Sequence, residues 1–213
     1  MTSLINVIYS TTNSFKKEEI SEVCRSVLID GPGTKLIGEL FRFEFRDGKP
    51  NEPLERDLKE MVRHKAISAY KNLLVPCIVE HAGLIFQDYL PENYPGGLTQ
   101  PMWDALGAER FIEETRGKGR RVIARAVIAY CDGLSVVCFQ GDTAGTLAAH
   151  PAGNREFYWD PIFIPDSETK TYAEICGDSS MGLKRKVVLS QSTKALTEFL
   201  RYRLRTGDPN LFG

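Results

Sequence analysis

The sequence predicts a mixed α/β sheet flanked by helices, and three observations indicate this fold class. Short apolar, β-branched runs alternate with stretches of helical spacing through the first half of the chain. Two strand-like runs joined by a tight turn follow in the second half. A last amphipathic stretch lies close to the end of the chain. The order strand, helix, strand, helix, strand and hairpin is typical of a mixed sheet.

The first half supplies two strands and two helices. Ile20, Val23, Cys24 and Val27 follow the i, i+3, i+4, i+7 spacing of a helix face. The Gly-Pro-Gly segment at 31–33 predicts a turn after that helix. The predicted elements are a strand at 5–9, this first helix, a strand at 35–45, a polar loop at 46–53 and a helix at about 54–74.

The second half begins with a third strand, and a hairpin follows after a loop and short helices. The Cys131-Asp132-Gly133 segment separates two strand-like runs and is a strong hairpin signal. The predicted elements are a strand at 77–86, a Pro- and Gly-rich loop at 89–99, one or two short helices up to residue 114, the hairpin strands at 121–130 and 134–140, and a helix near 192–204.

The length and composition fit a single domain spanning residues 1–213, because a chain of 213 residues of which 42% are hydrophobic can form one large core. A net charge of −1 excludes a globally basic nucleic-acid-binding protein, and no basic stretch is interleaved with aromatic residues. We expect no membrane span, no secretory signal and therefore a cytoplasmic location. The chain has five cysteines, an odd number, and no two of them form a CxxC pair, so neither a disulfide framework nor a zinc site is expected. Most of them are interpreted as small buried hydrophobic residues in a reducing compartment.

The segment Thr11-Thr12-Asn13-Ser14-Phe15-Lys16 is the first candidate for a site, because it joins a strand to a helix. Free backbone N–H groups at a helix N-terminus favour a bound phosphate, and Lys16 would add a positive charge. The alternative is an ordinary helix N-cap at Asn13 or Ser14. The segment is not a P-loop, because the glycines are missing.

Four further segments carry candidate groups, and each also has a purely structural interpretation. Lys65 shares the apolar face of its helix, which indicates either a snorkelling lysine or a lysine aimed into a cleft. Glu80 and His81 interrupt a strand, where charge needs a metal, a partner or water. The segment 157–161 contains three aromatic residues beside Asp160, which suits either a base site or a core. The Lys184-Arg185-Lys186 run is usually a solvated face.

The order of these segments along the chain resembles the order of motifs in the inosine/xanthosine triphosphate pyrophosphatase family, which removes noncanonical purine nucleotides. The family's T-G-N-x-x-K loop corresponds to residues 11–16, and its strand with an acidic pair corresponds to residues 79–86. The motif F-x-G-x-x-x-G matches residues 139–145, and F-G-[WY]-D-P-x-F matches residues 157–163. The T-Y-A-E and K-x-x-x-S-H-R-x-x-A-L segments match residues 171–174 and 186–196, so the resemblance covers nearly the whole chain.

The resemblance implies an elongated mixed sheet with flanking helices and two lobes around a central nucleotide cleft. It implies hydrolysis of a nucleoside triphosphate to the monophosphate and pyrophosphate, Mg²⁺ or Mn²⁺ as cofactor, and a homodimer. Lys16, Lys65 and Lys186 would hold the phosphates, and Trp159 and Asp160 would face the nucleoside. The remaining implied groups are Glu80, His81 and Lys16 as catalytic residues, Glu44 and Glu80 as metal ligands, and Thr11, Thr12, Asn13, Ala82, Phe157, Gln191 and Ser192 as substrate-binding residues.

The sequence departs from the family pattern at positions that carry chemistry. His81 stands where the family has a metal-binding aspartate, and imidazole suits magnesium poorly. His81 could instead act as a general base. Gln191-Ser192 replaces a His-Arg pair that reads the base, and Tyr158 replaces a glycine, which must reshape the cleft. Two hypotheses follow, a pyrophosphatase with an altered base preference and a nucleotide-binding relative with little or no catalysis.

Overall fold

The computed structural model describes residues 4–31, 33–154, 157–180 and 182–206. Its strands are β1 Ile5–Ser10, β2 Leu28–Gly31, β3 Gly33–Leu36, β4 Phe41–Arg46, β5 Cys77–Phe86, β6 Arg121–Cys131, β7 Val136–Leu147 and β8 Phe163–Pro165. Its α-helices are α1 Ser14–Ser26, α2 Ile37–Leu40, α3 Leu58–Leu73, α4 Thr99–Thr115, α5 Tyr172–Gly177, α6 Gly182–Leu189 and α7 Gln191–Thr206.

Six strands form one mixed sheet in the order β4-β1-β5-β6-β7-β8, which confirms the predicted fold class. β1 is parallel to β4 and to β5, whereas each adjacent pair from β5 to β8 is antiparallel. β1 pairs with β5 only at Tyr9 and Ile78. The 10-residue β5 therefore continues beyond the end of β1, and Glu80 and His81 lie on this extension. A gap beside the carboxyl end of a parallel strand is a usual place for a ligand.

Helices cover both faces of the sheet through apolar stripes. The buried side chains of α3 pack in one cluster with those of β5 and β6, including Val62, Ala66 and Val79. The buried side chains of α7, such as Leu196 and Phe199, pack in a second cluster with those of β1 and β6. The sheet is thus held between α3 and α7, and both helices are positioned to place side chains at its gap.

Gly141 sets the distance between β7 and the first turn of α7. A Cβ atom on Gly141 would lie 2.2 Å from the Gln191 carbonyl oxygen and 2.5 Å from the Ala195 nitrogen. Real Cβ atoms do not approach backbone that closely, so only glycine permits this packing. Gly141 is the first glycine of the F-x-G-x-x-x-G motif, and it brings the start of α7 onto the sheet.

Most predicted elements are confirmed, and the prediction of one strand at 35–45 is wrong. That stretch contains β3, the short helix α2 and β4, and β3 forms a hairpin with β2. The chain turns because Ile37 is fully buried and Gly38 packs against α1, where a Cβ would lie 2.8 Å from the Cys24 carbonyl oxygen. Tertiary packing therefore overrides the local alternation. Of the turn predicted at 31–33, residue 32 lies outside the described residues.

We expect Gly141→Ala to lower the free energy of unfolding by about 1–3 kcal/mol, because the added methyl group must push α7 away from β7. Thermal and urea unfolding measure the change. Gly177→Ala is the matched control, since no atom lies within 4 Å of a Cβ at that position. An alanine at 141 that unfolds like the control would show that α7 is not held against β7 as described.

Candidate active site

The gap beside β1 opens into a cleft of about 300 Å³. Residues from nine parts of the chain line it, namely the β1 end with the loop after it, α1, the 47–57 loop, α3, β5, α4, the 157–160 segment, α6 and the start of α7. The predicted site residues that line this cleft are Thr11, Thr12, Asn13, Lys16, Lys65, Glu80, His81, Ala82, Phe157, Trp159, Asp160, Lys186, Gln191 and Ser192. Glu44 is the predicted site residue that the structure does not bring to the cleft.

The loop after β1 is both an N-cap and a wall of the cleft. Asn13 is the N-cap of α1, and its Oδ1 accepts a hydrogen bond from the Lys16 backbone N–H at 3.1 Å. The cap fixes the first turn of α1 at the end of β1. The Lys16 side chain can then cross to β5, where its Nζ donates to the Glu80 carbonyl oxygen at 3.3 Å. The two interpretations of this segment are therefore compatible.

Lys65 approaches the same carbonyl oxygen from the other side of the sheet gap. Its Nζ donates to the Glu80 backbone oxygen at 3.2 Å and forms an ion pair with Glu52. The side chain is buried in the cleft and does not snorkel to the surface. Burial and the charge of Lys16 lower the pKa of Lys65, and Glu52 opposes this shift. Two ammonium groups thus share one carbonyl, and this arrangement favours an anionic ligand.

The Glu80 carboxylate is held by hydroxyl groups on both of its oxygens. The Tyr9 hydroxyl donates to Oε2 at 2.6 Å, and the Ser192 hydroxyl donates to Oε1 at 2.9 Å. Lys16 Nζ lies 3.7 Å from Oε1. Burial alone would raise the pKa of Glu80, but Lys16 and the two hydroxyl donors lower it below its ordinary value. Glu80 is therefore a fixed, ionised carboxylate at neutral pH.

His81 is buried on the opposite face of β5 from Glu80, as strand alternation requires. Its Nδ1 lies 3.8 Å from Glu52 Oε2, and within the described ranges its Nε2 has no hydrogen-bond partner. Burial, with Lys65 and Lys16 nearby, lowers the pKa of His81 to about 4. The imidazole is therefore neutral at physiological pH, and one of its nitrogens is free to bond a ligand or a water molecule.

Glu52 is a carboxylate of the cleft that the sequence analysis missed. It lies on the loop between β4 and α3, which is fastened to α3 by two side chains. The Ser68 hydroxyl accepts from the Asn51 N–H at 3.0 Å, and Asn72 Nδ2 donates to the Gly48 carbonyl at 2.8 Å. No sequence motif marks Glu52, because only the fold of this loop brings it to Lys65 and His81.

The prediction that Glu44 lies at the metal site is corrected by the structure. β4 is the edge strand on the far side of β1 from β5. Glu44 is exposed there and accepts a bond from Arg46 Nε at 2.7 Å. The chain returns to the cleft only after β4, at Glu52.

Lys186 is buried between two carboxylates. Its Nζ lies 2.5 Å from Glu19 Oε1 and 2.5 Å from Asp160 Oδ2, and 4.8 Å from the centre of the Phe157 ring. Burial would lower the pKa of Lys186, but Asp160 and Glu19 outweigh it and raise the pKa. The expectation of a solvated face is wrong for Lys186. Because its charge is already balanced, the geometry favours a position beside the aromatic residues over a phosphate contact.

Gln191 and Ser192 begin α7 and face different parts of the cleft. Gln191 Oε1 accepts from the Tyr172 hydroxyl at 3.3 Å, and Gln191 also lines the cleft, where its amide N–H groups can bond a ligand. Ser192 donates to Glu80 and so does not replace a base-reading residue directly. The substitution predicted to change base choice therefore also changes how Glu80 is held.

Two convergent lysines, fixed carboxylates and aromatic walls in a gap of a mixed sheet define a nucleotide-binding α/β protein. The Ham1 family model matches residues 7–202, and the chain belongs to this family. A dITP/XTP pyrophosphatase of Hyperthermus butylicus is 31% identical over 206 residues, covering 95% of this chain and 97% of the relative. A dITP/XTP pyrophosphatase of Saccharolobus solfataricus is 28% identical and covers 90% of both chains.

Solved structures show the same fold. A HAM1 protein from Coxiella burnetii has a TM-score of 0.68 at 20% identity, and the match covers 93% of this chain and 100% of that chain. The Staphylococcus aureus Ham1 protein has a TM-score of 0.63 at 19% identity, with 93% and 99% covered. The family resemblance and the fold class inferred from the sequence are thereby confirmed.

We expect Lys186→Met to lower the free energy of unfolding by about 3–5 kcal/mol, because it removes the buried ammonium group that pairs with the carboxylates of Glu19 and Asp160. Thermal unfolding at pH 7 measures the change. Lys184→Met, on the exposed side of the same helix, is the control and should change stability by less than about 0.5 kcal/mol. Equal stability of the two variants would contradict the buried ion pairs.

We expect the metal-free protein to lose up to about 3 kcal/mol of stability as the pH falls from about 6.5 to about 4. The unfolded His81 binds a proton through this window, whereas burial lowers its folded pKa to about 4, so acid favours the unfolded state. Urea unfolding in a chelator at several pH values measures the slope. His81→Gln should flatten it and His64→Gln, on the exposed side of α3, should not. An unchanged slope in His81→Gln would contradict the burial of a neutral imidazole.

Proposed function

We propose that the chain hydrolyses nucleoside triphosphates, including noncanonical purine nucleotides, to the monophosphate and pyrophosphate. The observation that carries this proposal is the convergence of Lys16 and Lys65 on the Glu80 carbonyl beside the Glu52 and Glu80 carboxylates. Its relatives in Hyperthermus butylicus and Saccharolobus solfataricus are named dITP/XTP pyrophosphatases. The names of these relatives and the family match support the hydrolase inferred from the sequence motifs.

Pyrophosphatases of the Ham1 family generally depend on a divalent metal. Within the described residues, no group of three or more His, Cys, Asp or Glu side chains is arranged to hold a metal by itself. Magnesium usually needs only one or two carboxylates and completes its shell with water and substrate phosphates. The ionised Glu80 and the half-exposed Glu52 fit that role, so we assign them to Mg²⁺, with Mn²⁺ as a substitute. When bound, the ion would polarise phosphoryl oxygens.

The chain's own groups divide the remaining work. Lys16 and Lys65 would exchange the Glu80 carbonyl for phosphate oxygens and neutralise the charge of the transferred group. His81, which is neutral at physiological pH, would accept a proton from the attacking water. Phe157 would pack against the nucleobase, and Asp160 and the Gln191 amide would bond its edge. These roles rest on the position of each group in the cleft.

The second candidate function is nucleotide binding without turnover. Two observations favour it, the histidine at position 81 and the occupation of both Glu80 oxygens by Tyr9 and Ser192. Calorimetry with a triphosphate, combined with an assay for pyrophosphate release, separates the two functions. Tight binding with no release over a panel of natural and deaminated triphosphates, with Mg²⁺ or Mn²⁺, would favour the sensor.

The expected homodimer and cytoplasmic location stay predictions. Within the described segments, no helix has the length and hydrophobicity needed to cross a membrane.

We expect Glu52→Gln to lower kcat for triphosphate hydrolysis by about 100-fold or more, because it removes a charged ligand of the metal and a partner of Lys65. Glu44→Gln should retain activity within about twofold, since Glu44 is bonded to Arg46 outside the cleft. Pyrophosphate release measured at several Mg²⁺ concentrations checks both variants. Loss of activity in Glu44→Gln with an active Glu52→Gln would reverse the assignment.

A further inference from the structure

Tyr158 is held in a backbone conformation that a bulky residue rarely adopts. Its φ is 47°, in the left-handed region where glycine is free of steric strain. Such residues persist when their surroundings hold them, and they concentrate at functional sites. The strained backbone here aims the ring across the cleft, so the contacts of that ring identify what it does.

The Tyr158 hydroxyl lies between two amide groups from different walls of the cleft. Asn13 Nδ2 donates to it at 3.3 Å, and Gln100 Nε2 donates to it at 3.1 Å. The orientation of the Asn13 amide is fixed, because its Oδ1 already accepts the N-cap bond from Lys16. The ring is steadied by Phe157, whose centre is 4.9 Å away and which stacks on Phe15 at 5.0 Å.

This arrangement leaves the O–H proton of Tyr158 to donate a hydrogen bond to a ligand. An oxygen that accepts from two amides keeps its own O–H proton to donate. Within the described parts of the chain, no acceptor is bonded to that proton. Tyr158 also lines the cleft, so the proton is available to a bound molecule.

We propose that Tyr158 is a substrate-binding residue whose hydroxyl donates to a phosphate oxygen of the polyphosphate chain. The inference rests on the proposed function and adds a residue to it. The hydroxyl is bonded to Asn13, the N-cap of α1, so it lies at the N-terminus of that helix, in the cleft that Lys16 also lines. An anionic oxygen is the acceptor best matched to that surrounding charge, and charged acceptors make the stronger bonds.

The test compares Tyr158→Phe with the wild type, using inorganic tripolyphosphate as a probe that has no nucleoside. We expect the inhibition constant of tripolyphosphate and the KM for a triphosphate substrate each to rise about 10-fold or more, with kcat within about threefold. An equal rise in both constants, with little change in kcat, indicates that the hydroxyl contacts the phosphates before the reaction begins. Tyr202→Phe, whose ring packs on Tyr130 and Phe139 away from the cleft, should leave both constants unchanged.

A second variant guards against a loss of folding in the first. Gln100→Met keeps the Tyr158 ring but frees its hydroxyl from one wall, and we expect it to raise both constants in the same direction by a smaller factor. Thermal unfolding of every variant shows whether the fold is intact.

The outcomes separate this inference from the proposed function. Constants within twofold of wild type in a folded Tyr158→Phe would overturn the inference and leave the pyrophosphatase intact. A raised KM with an unchanged tripolyphosphate constant would place the hydroxyl on the nucleoside and also overturn it. A wild-type chain that neither hydrolyses triphosphates nor binds tripolyphosphate would overturn the proposed function itself.

Discussion

The backbone carbonyl of Glu80 receives two lysine ammonium groups, and the arrangement of the cleft depends on this interaction. Lys16 reaches it from α1 at 3.3 Å and Lys65 reaches it from α3 at 3.2 Å. Two like charges in a partly dehydrated gap repel each other, so the chain balances them with the Glu80 and Glu52 carboxylates. An incoming polyphosphate offers a stronger partner than a neutral carbonyl, and for this reason we propose that the pair is a preformed anion receptor.

The fold produces this receptor through unequal strand lengths. β5 runs past the end of β1, so the Glu80 peptide lies at the gap where α1 begins. The two faces of β5 carry different groups, because the Glu80 side chain contacts Tyr9 and Ser192 on one face and the His81 side chain lies near Glu52 on the other. Gly141 completes the cleft by letting α7 approach the sheet closely enough for Ser192 to reach Glu80.

Motifs that combine a local fold with a chemical group could be predicted from the sequence. The loop from Thr11 to Lys16 joins a strand to a helix, so its place after β1 and an N-cap at Asn13 or Ser14 could be predicted from the pattern. The helix α5 has a capping box of Thr171 and Glu174, and this spacing in the sequence predicts the start of a helix.

Other features had no local signal. Glu52 reaches the cleft through hydrogen bonds of its loop to α3, and Lys186 is buried by carboxylates 167 and 26 residues away in the chain. The resemblance places a metal ligand at Glu44, but the strand order puts β4 on the other side of β1 from β5. Long-range pairing decided each of these cases, and periodicity cannot report it.

A crystal structure with a triphosphate that cannot be cleaved between its α and β phosphates, soaked with Mg²⁺, tests the central claim most directly. The account predicts that Lys16 and Lys65 leave the Glu80 carbonyl and contact phosphate oxygens, with the base beside Phe157 and Asp160. A nucleotide bound elsewhere, with both ammonium groups still on that carbonyl, would contradict it.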